Sequence, residues 1–151
     1  MLAIFASDMA GGFGFEGGLP WGRIPEDLKF FKEKTHNNYI AMGYNTWKTL
    51  PKLTNRYPIV ITKKFIEGGV LQVCSKDHIK ALLPIEEVLV IGGSTILTVE
   101  LLRVCTEIFH TTIHGVHRAD TYIDPEVLAY LSSLDHDIIQ ITDKCTIRRY
   151  F

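Results

Sequence analysis

The stretch Glu87-Val88-Leu89-Val90-Ile91-Gly92-Gly93-Ser94 decides the fold class. Val88 to Ile91 form a short unbroken apolar run, the pattern of a strand covered on both faces. Gly92-Gly93 break the run, and a helix is expected from Ser94 to about Val104. A strand covered on both faces that turns straight into a helix belongs in a parallel sheet flanked by helices.

The same grammar extends outward in both directions. Residues 1–6, Met1-Leu2-Ala3-Ile4-Phe5-Ala6, read as another buried central strand. Tyr39-Ile40-Ala41-Met42 is a strand that passes through Gly43-Tyr44-Asn45-Thr46 into a short helix ending at Leu50-Pro51. Tyr57 to Thr62 is a strand with Pro58 near its start. Val70 to Cys74 is a further strand, after which Ser75 caps a helix reaching Leu83. After residue 104 strands follow strands: Glu107 to His114, Leu134 to Thr142, and Cys145 to Phe151 as the partner of a closing hairpin. The expected fold is α/β, with a central, mainly parallel sheet of about eight strands, flanking helices and an antiparallel C-terminal hairpin strand. With no repeat, low-complexity run or linker, residues 1–151 are read as one domain.

Composition narrows the function classes. Hydrophobic residues make up 46% and charged residues 22% of the 151, and the formal net charge is −1. That balance gives no general electrostatic case for nucleic acid or a membrane surface. Cys74, Cys105 and Cys145 lie far apart, an odd count with no CxxC spacing, and are read as reduced thiols rather than a disulfide framework or a zinc site. The apolar start stops at Ser7-Asp8 and has no basic segment before it, so a cytoplasmic protein is expected.

Ser7 to Arg23 contains Gly11, Gly12, Gly14, Gly17, Gly18 and Gly22, too many to sustain a helix or strand. A long irregular loop in a compact domain is usually functional, often a lid. Pro25 suits the first position of the next helix, with Glu26 and Asp27 in its first turn. Ile24, Leu28, Phe31 and Phe30 supply its apolar face, and it should fade near Thr35 to Asn38. Asp27 and Phe31 are four apart and share a face. On spacing alone Asp27 is either a solvent-facing acid at a helix start or a carboxylate between apolar walls, able to bind an amidine-like edge.

Gly92-Gly93 lets the backbone approach a pyrophosphate closely, and Gly43 to Thr46 offers a second strand-to-helix entry for the other end of a dinucleotide. Steric need at a tight turn explains such glycines equally well. Lys63-Lys64 could hold a 2′-phosphate or merely blunt a strand end. His110, His114 and His117 do not share one face of a strand, which favours structural histidines over metal ligands.

Taken in order, the quoted segments resemble the dihydrofolate reductase family over essentially the whole chain. The carriers are Ala6-Ser7, Phe13-Gly14, Gly18-Leu19-Pro20-Trp21, Pro25 to Lys32, Met42-Gly43-Tyr44-Asn45-Thr46-Trp47, Arg56, Val90-Ile91-Gly92-Gly93 and Asp120-Thr121. The resemblance implies reduction of 7,8-dihydrofolate to tetrahydrofolate by hydride from NADPH, with a proton added at N5. Asp27 would be the acid that grips the pterin, supported by Thr111 through water, and Trp21 would close over the nicotinamide. Phe5, Ala6, Leu28, Phe31 and Ile91 would line the substrate pocket, and Arg56 would pair with the substrate's α-carboxylate. The implied cofactor contacts are Ala6, Ser7, Phe13, Gly14, Gly43, Tyr44, Asn45, Thr46, Thr62, Lys63, Gly92, Gly93, Ser94, Thr95 and Ile96. Tyr44, Leu97 and Cys74 depart from residues common in relatives, which leaves Lys63 and Lys64 to meet the 2′-phosphate. The resemblance further implies a monomer with no metal, inhibited by antifolates such as methotrexate and trimethoprim.

Overall fold

A computed structural model describes residues 1–66, 71–73 and 88–151. Ten strands and four helices are placed among them: β1 (Leu2–Asp8), β2 (Gly12–Gly14), α1 (Pro25–Thr35), β3 (Tyr39–Gly43), α2 (Tyr44–Thr49), β4 (Tyr57–Ile61), β5 (Leu71–Val73), β6 (Leu89–Gly92), α3 (Val99–Val104), β7 (Glu107–Ile113), β8 (Thr121–Tyr122), α4 (Pro125–Ser132), β9 (His136–Ile141) and β10 (Cys145–Tyr150). Eight strands form one sheet in the order β5-β4-β3-β6-β1-β7-β10-β9. The pairings from β5 to β7 are parallel, while β10 runs antiparallel to both β7 and β9. The mainly parallel sheet with an antiparallel C-terminal hairpin is as the sequence predicts. The helix expected after Ser75 lies outside the described residues.

Side chains along β1 alternate between two cores, as the period of a strand requires. Ala3 and Phe5 point to one, with Leu97, Leu101, Val127 and Leu131. Ile4 and Ala6 point to the other, with Ile24, Phe30, Ile91, Phe109 and Ile147. On α1 it is Phe30 that is buried, edge-on against Phe109 at 5.8 Å between centroids, while Leu28 and Phe31 stay half-buried. The first residues of the helix are thus held at the sheet surface with some of their apolar area still open to a ligand.

Three expectations need correction. Helix α3 starts at Val99, not Ser94, because the Gly93 carbonyl accepts the N–H groups of Ile96 and Leu97 and closes a separate turn. Thr98 then caps the helix, its side chain accepting from Leu101 N–H. Strands do not simply follow strands after residue 104, since α4 intervenes, with Asp124 capping it and Pro125 in its first turn. The glycine-rich segment is not wholly irregular: β2 pairs with β8, and Phe15 bridges Gly18. No helix among the described residues is long and apolar enough to cross a membrane. Cys105 and Cys145 are free thiols, and burial pushes the Cys105 thiol up to about 11.

Candidate active site

β1, β3 and β6 end on the same side of the sheet, at Asp8, Gly43 and Gly92. β1 is laddered to β6 only at Leu2↔Leu89 and Ala3↔Val90, yet stays paired with β7 as far as Asp8↔Ile113. The seam between β1 and β6 therefore loses its ladder beyond Val90. Strand order also reverses here, and this is where open α/β sheets bind ligands.

One wall of the crevice comes from the start of α1. Pro25 occupies the first turn behind Ile24, which offers no capping side chain. Thr142 Oγ1 donates to Glu26 Oε2 at 2.9 Å and ties that turn to the connection between β9 and β10. Asp27 follows, half-buried rather than solvent-facing. Burial pushes its carboxyl above the ordinary value and the Glu26 charge adds to this, while hydrogen bonding with the Thr111 side chain opposes. Thr111 is 3% exposed and sits in register with Ala6 on the neighbouring strand. Trp21, Phe31, Ala6 and Ile91 belong to the apolar cluster on this face. Trp47, Leu50 and Leu53 join the same cluster; Trp47 closes the motif quoted above from Met42, while Leu53 carries no periodic or motif signal in the sequence. Phe5 turns its side chain to the opposite face, its ring tilted 43° against His110 at 4.9 Å, so that only its backbone can face this crevice.

Buried side-chain nitrogens without a hydrogen-bond partner among the described residues belong to Trp21, Arg56, His110 and His117. Arg56 is half-buried just before β4, and its Nε and Nη1 have no hydrogen-bond partner among the described residues. Trp21 Nε1 is in the same condition. Buried donors are nearly always paired in a folded protein, by ordered water or a ligand where no protein group serves.

A glycine corner forms the second wall. Gly43 follows Met42, which is in register with Gly92. A Cβ on Gly43 would come within 3.8 Å of Gly93 N, and one on Gly93 would lie 3.1 Å from Thr46 Oγ1. Gly92 has φ +144°, and a Cβ there would be 3.2 Å from Phe13 Cζ. Only glycine combines that backbone with that approach. Phe13, Gly43, Thr46, Gly92, Gly93 and Ile96 are thus brought together, in a cradle that a dinucleotide's backbone-hugging phosphates fit. Ser94 is half-buried and Thr95 exposed in the turn that follows. Tyr44 extends the corner outward, with Lys64 Nζ 4.5 Å above its ring. Thr62 Oγ1 accepts from Lys64 N–H at 3.0 Å and Gln72 Nε2 donates to the Thr62 and Lys64 carbonyls, which fixes the basic turn. Lys63 and Asn45 are exposed, and Gly14 lies against Thr121. Leu97 is wholly buried in the far core.

The histidines go separate ways. His110 Nε2 and Ser7 Oγ share a buried hydrogen bond of 2.8 Å, and burial pushes the His110 imidazole down to about 4, with the Arg148 charge adding to the effect. The Ser7 hydroxyl is therefore engaged within the fold. His114 reaches the Asp143 carbonyl at 3.0 Å and Thr146 Oγ1 at 2.8 Å. His117 faces Asp8 and Trp21.

Fold and crevice together describe a switch-point α/β protein with a close-packed glycine corner and an acid-bearing apolar cleft. The family described as Dihydrofolate reductase matches residues 1–137. A dihydrofolate reductase type A10 of Escherichia coli is 34% identical over 146 residues, covering 86% of this chain and 75% of the relative. The dihydrofolate reductase of Mycobacterium leprae (strain TN) is 35% identical over 138 residues, covering 83% of this chain and 78% of its own. The solved dihydrofolate reductase of Enterococcus faecalis, complexed with NADP(H) and RAB-propyl, superposes with a TM-score of 0.79 at 34% identity, covering 99% of this chain and 94% of that one. The chain belongs to the dihydrofolate reductase family.

Proposed function

We propose that the chain reduces 7,8-dihydrofolate to tetrahydrofolate with NADPH, and that Asp27 is the one ionisable group at the reacting centre. The observation that carries this reading is the Asp27 carboxylate, half-buried beside Thr111 at the crevice that also holds the glycine corner. Two carboxylate oxygens match the N3–H and 2-amino edge of a pterin, a paired geometry that fixes the ring's orientation. Leu28, Phe31, Ala6 and Ile91 would pack against the ring and its benzoyl arm, while the Phe5 backbone completes the floor. Arg56, with Nε and Nη1 buried and unpaired, suits bidentate pairing with the substrate's α-carboxylate.

NADPH, when bound, supplies the hydride that adds to pterin C6. Gly43, Gly92 and Gly93 would hold its phosphates with the neighbouring Thr46, Ser94, Thr95 and Ile96, flanked by Ala6, Ser7, Phe13, Gly14, Tyr44, Asn45 and Thr62. Lys64, seated on Tyr44, and Lys63 beside it would meet the 2′-phosphate and so favour NADPH over NADH. Reduction of the C6=N5 bond also needs a proton at N5. A carboxylate holding N3 is too far across the ring to deliver it, so solvent provides it. The negative charge of Asp27 raises the affinity of N5 for that proton. Trp21 and its loop would exclude further water once both rings are in place.

The test is loss of NADPH absorbance on adding dihydrofolate, and its block by methotrexate. Turnover blocked by methotrexate is expected. A folded protein that binds NADPH without turnover would mark a scaffold that has lost the reaction.

A further inference from the structure

Asp8 ends β1 with its side chain wholly out of solvent. A carboxylate in such a place is costly unless each oxygen is filled with donors. Both oxygens are filled. Oδ1 accepts the N–H groups of Ala10 at 2.9 Å and Gly12 at 2.8 Å, and Oδ2 accepts that of His117 at 2.9 Å. His117 Nδ1 stands 3.4 Å from Oδ2, an ion-pair distance without hydrogen-bond alignment. Space for the carboxylate is reserved by sequence, since a Cβ on Gly12 would lie 2.6 Å from Oδ2.

The donors come from two different segments. Ala10 and Gly12 begin the glycine-rich loop that leads to Trp21, and His117 lies in the connection from β7 to β8. The far end of that loop returns to the same histidine, because the Trp21 and His117 rings meet edge-on at 6.2 Å and 72°. Phe13, next to Gly12, touches the cofactor corner at Gly92. A second tie between the segments, Glu16 N–H to Asp120 Oδ2 at 2.8 Å, is exposed to solvent. The Asp8 tie is buried, where charge-assisted bonds are worth more.

We propose that Asp8 is a positioning residue for the reductase reaction, fastening the loop that carries Trp21 to His117 and thereby setting that loop over the cofactor. It rests on the functional reading above, in which Trp21 and its loop cover the nicotinamide. Asp8 touches neither substrate nor cofactor, so its removal should act on the rate of turnover and leave dihydrofolate binding nearly alone.

The test compares the wild type with Asp8→Asn, which keeps the shape but presents an NH₂ to the donors at one of the two oxygens. Turnover with NADPH and dihydrofolate is measured together with amide hydrogen exchange at Ala10, Gly12 and His117. The expected result is exchange at His117 accelerated about tenfold or more, and kcat lowered about tenfold. KM for dihydrofolate should stay within about twofold of the wild type, because Asp27 and Arg56 are untouched. Faster exchange with kcat unchanged overturns the proposal, and so does a loss carried by KM for dihydrofolate. If Asp8→Asn fails to fold, Gly12→Ala keeps the carboxylate but pushes it off the amides, and the same split decides. A wild type that does not reduce dihydrofolate at all defeats the functional reading itself and this inference with it. An active wild type with an equally active variant defeats only the inference.

Discussion

Asp8 and Asp27 are both carboxylates withdrawn from water, one at the end of β1 and one in the first turn of α1. Burial pushes both upward, yet they finish on opposite sides of the ordinary carboxylate value. At Asp8 the N–H donors of His117, Gly12 and Ala10 outweigh burial and hold the group low. At Asp27 only the Thr111 side chain opposes burial, and Glu26 adds a like charge. Supply of donors, rather than depth alone, thus sets the direction in which each buried acid is shifted. A saturated carboxylate is a fixed part of the scaffold. One left short of donors is available to a ligand. Arg56, with Nε and Nη1 unpaired among the described residues, is likewise short of partners, in keeping with the carboxylate pairing proposed for it.

The division can be broken most forcefully at Asp27. Asp27→Asn should fold normally and lose about a hundredfold in hydride transfer at neutral pH, read by rapid-mixing measurement of NADPH oxidation. Arg56→Ala should come next, raising KM for dihydrofolate roughly tenfold or more, as loss of a charge-assisted pair does. Its kcat should change little, and an unaltered KM would return Arg56 to the scaffold.

Stability should move the two aspartates in opposite directions. Asp8 is held low, so its contribution is present above the ordinary carboxylate value and is lost as pH falls through its folded value. Asp8→Asn should therefore lower the melting temperature at neutral pH, by about 1–3 kcal/mol of lost stability, with the deficit shrinking in acid. Asp27 is held high, so the wild type loses stability as pH rises from 3.8 through its folded value. Asp27→Asn should thus melt at or above the wild-type temperature at neutral pH and show no advantage in strong acid. Thermal scans across pH read both, and parallel shifts would erase the distinction. The smallest effect belongs to the basic turn. Lys64→Ala should raise KM for NADPH about threefold to tenfold, more in low salt, with KM for NADH nearly constant. Lys63→Ala tests the neighbour, and equal changes for both cofactors would remove the turn from 2′-phosphate selection.

Much of this arrangement was legible in the sequence where the signal is local. The apolar runs of β1 and β6, Pro25 ahead of two acids, and the glycines closing β3 and β6 each report a short-range constraint. Alternation along β1 also foretells that Phe5 and Ala6 face opposite ways, although family resemblance groups them in one pocket. What escaped reading is non-local or too short to show a period. β2 and β8 have three and two residues, and their pairing joins segments about a hundred positions apart. α3 starts late because the Gly93 carbonyl diverts two N–H groups into a turn. α4 is signalled by Asp124-Pro125 and by Val127 and Leu131, a pattern easily lost between two strands. Asp8 reads as a polar residue ending a strand, and its donor on His117 is 109 positions away.

The proposed role of Asp27 is to anchor the pterin and to ease protonation of N5. Its most direct test is the pH dependence of hydride transfer in the wild type and in Asp27→Asn. The wild-type rate should persist to higher pH than the variant's, and the variant should recover part of its loss in acid, where the substrate already carries the proton. Matching profiles at neutral pH for the two proteins would contradict the claim.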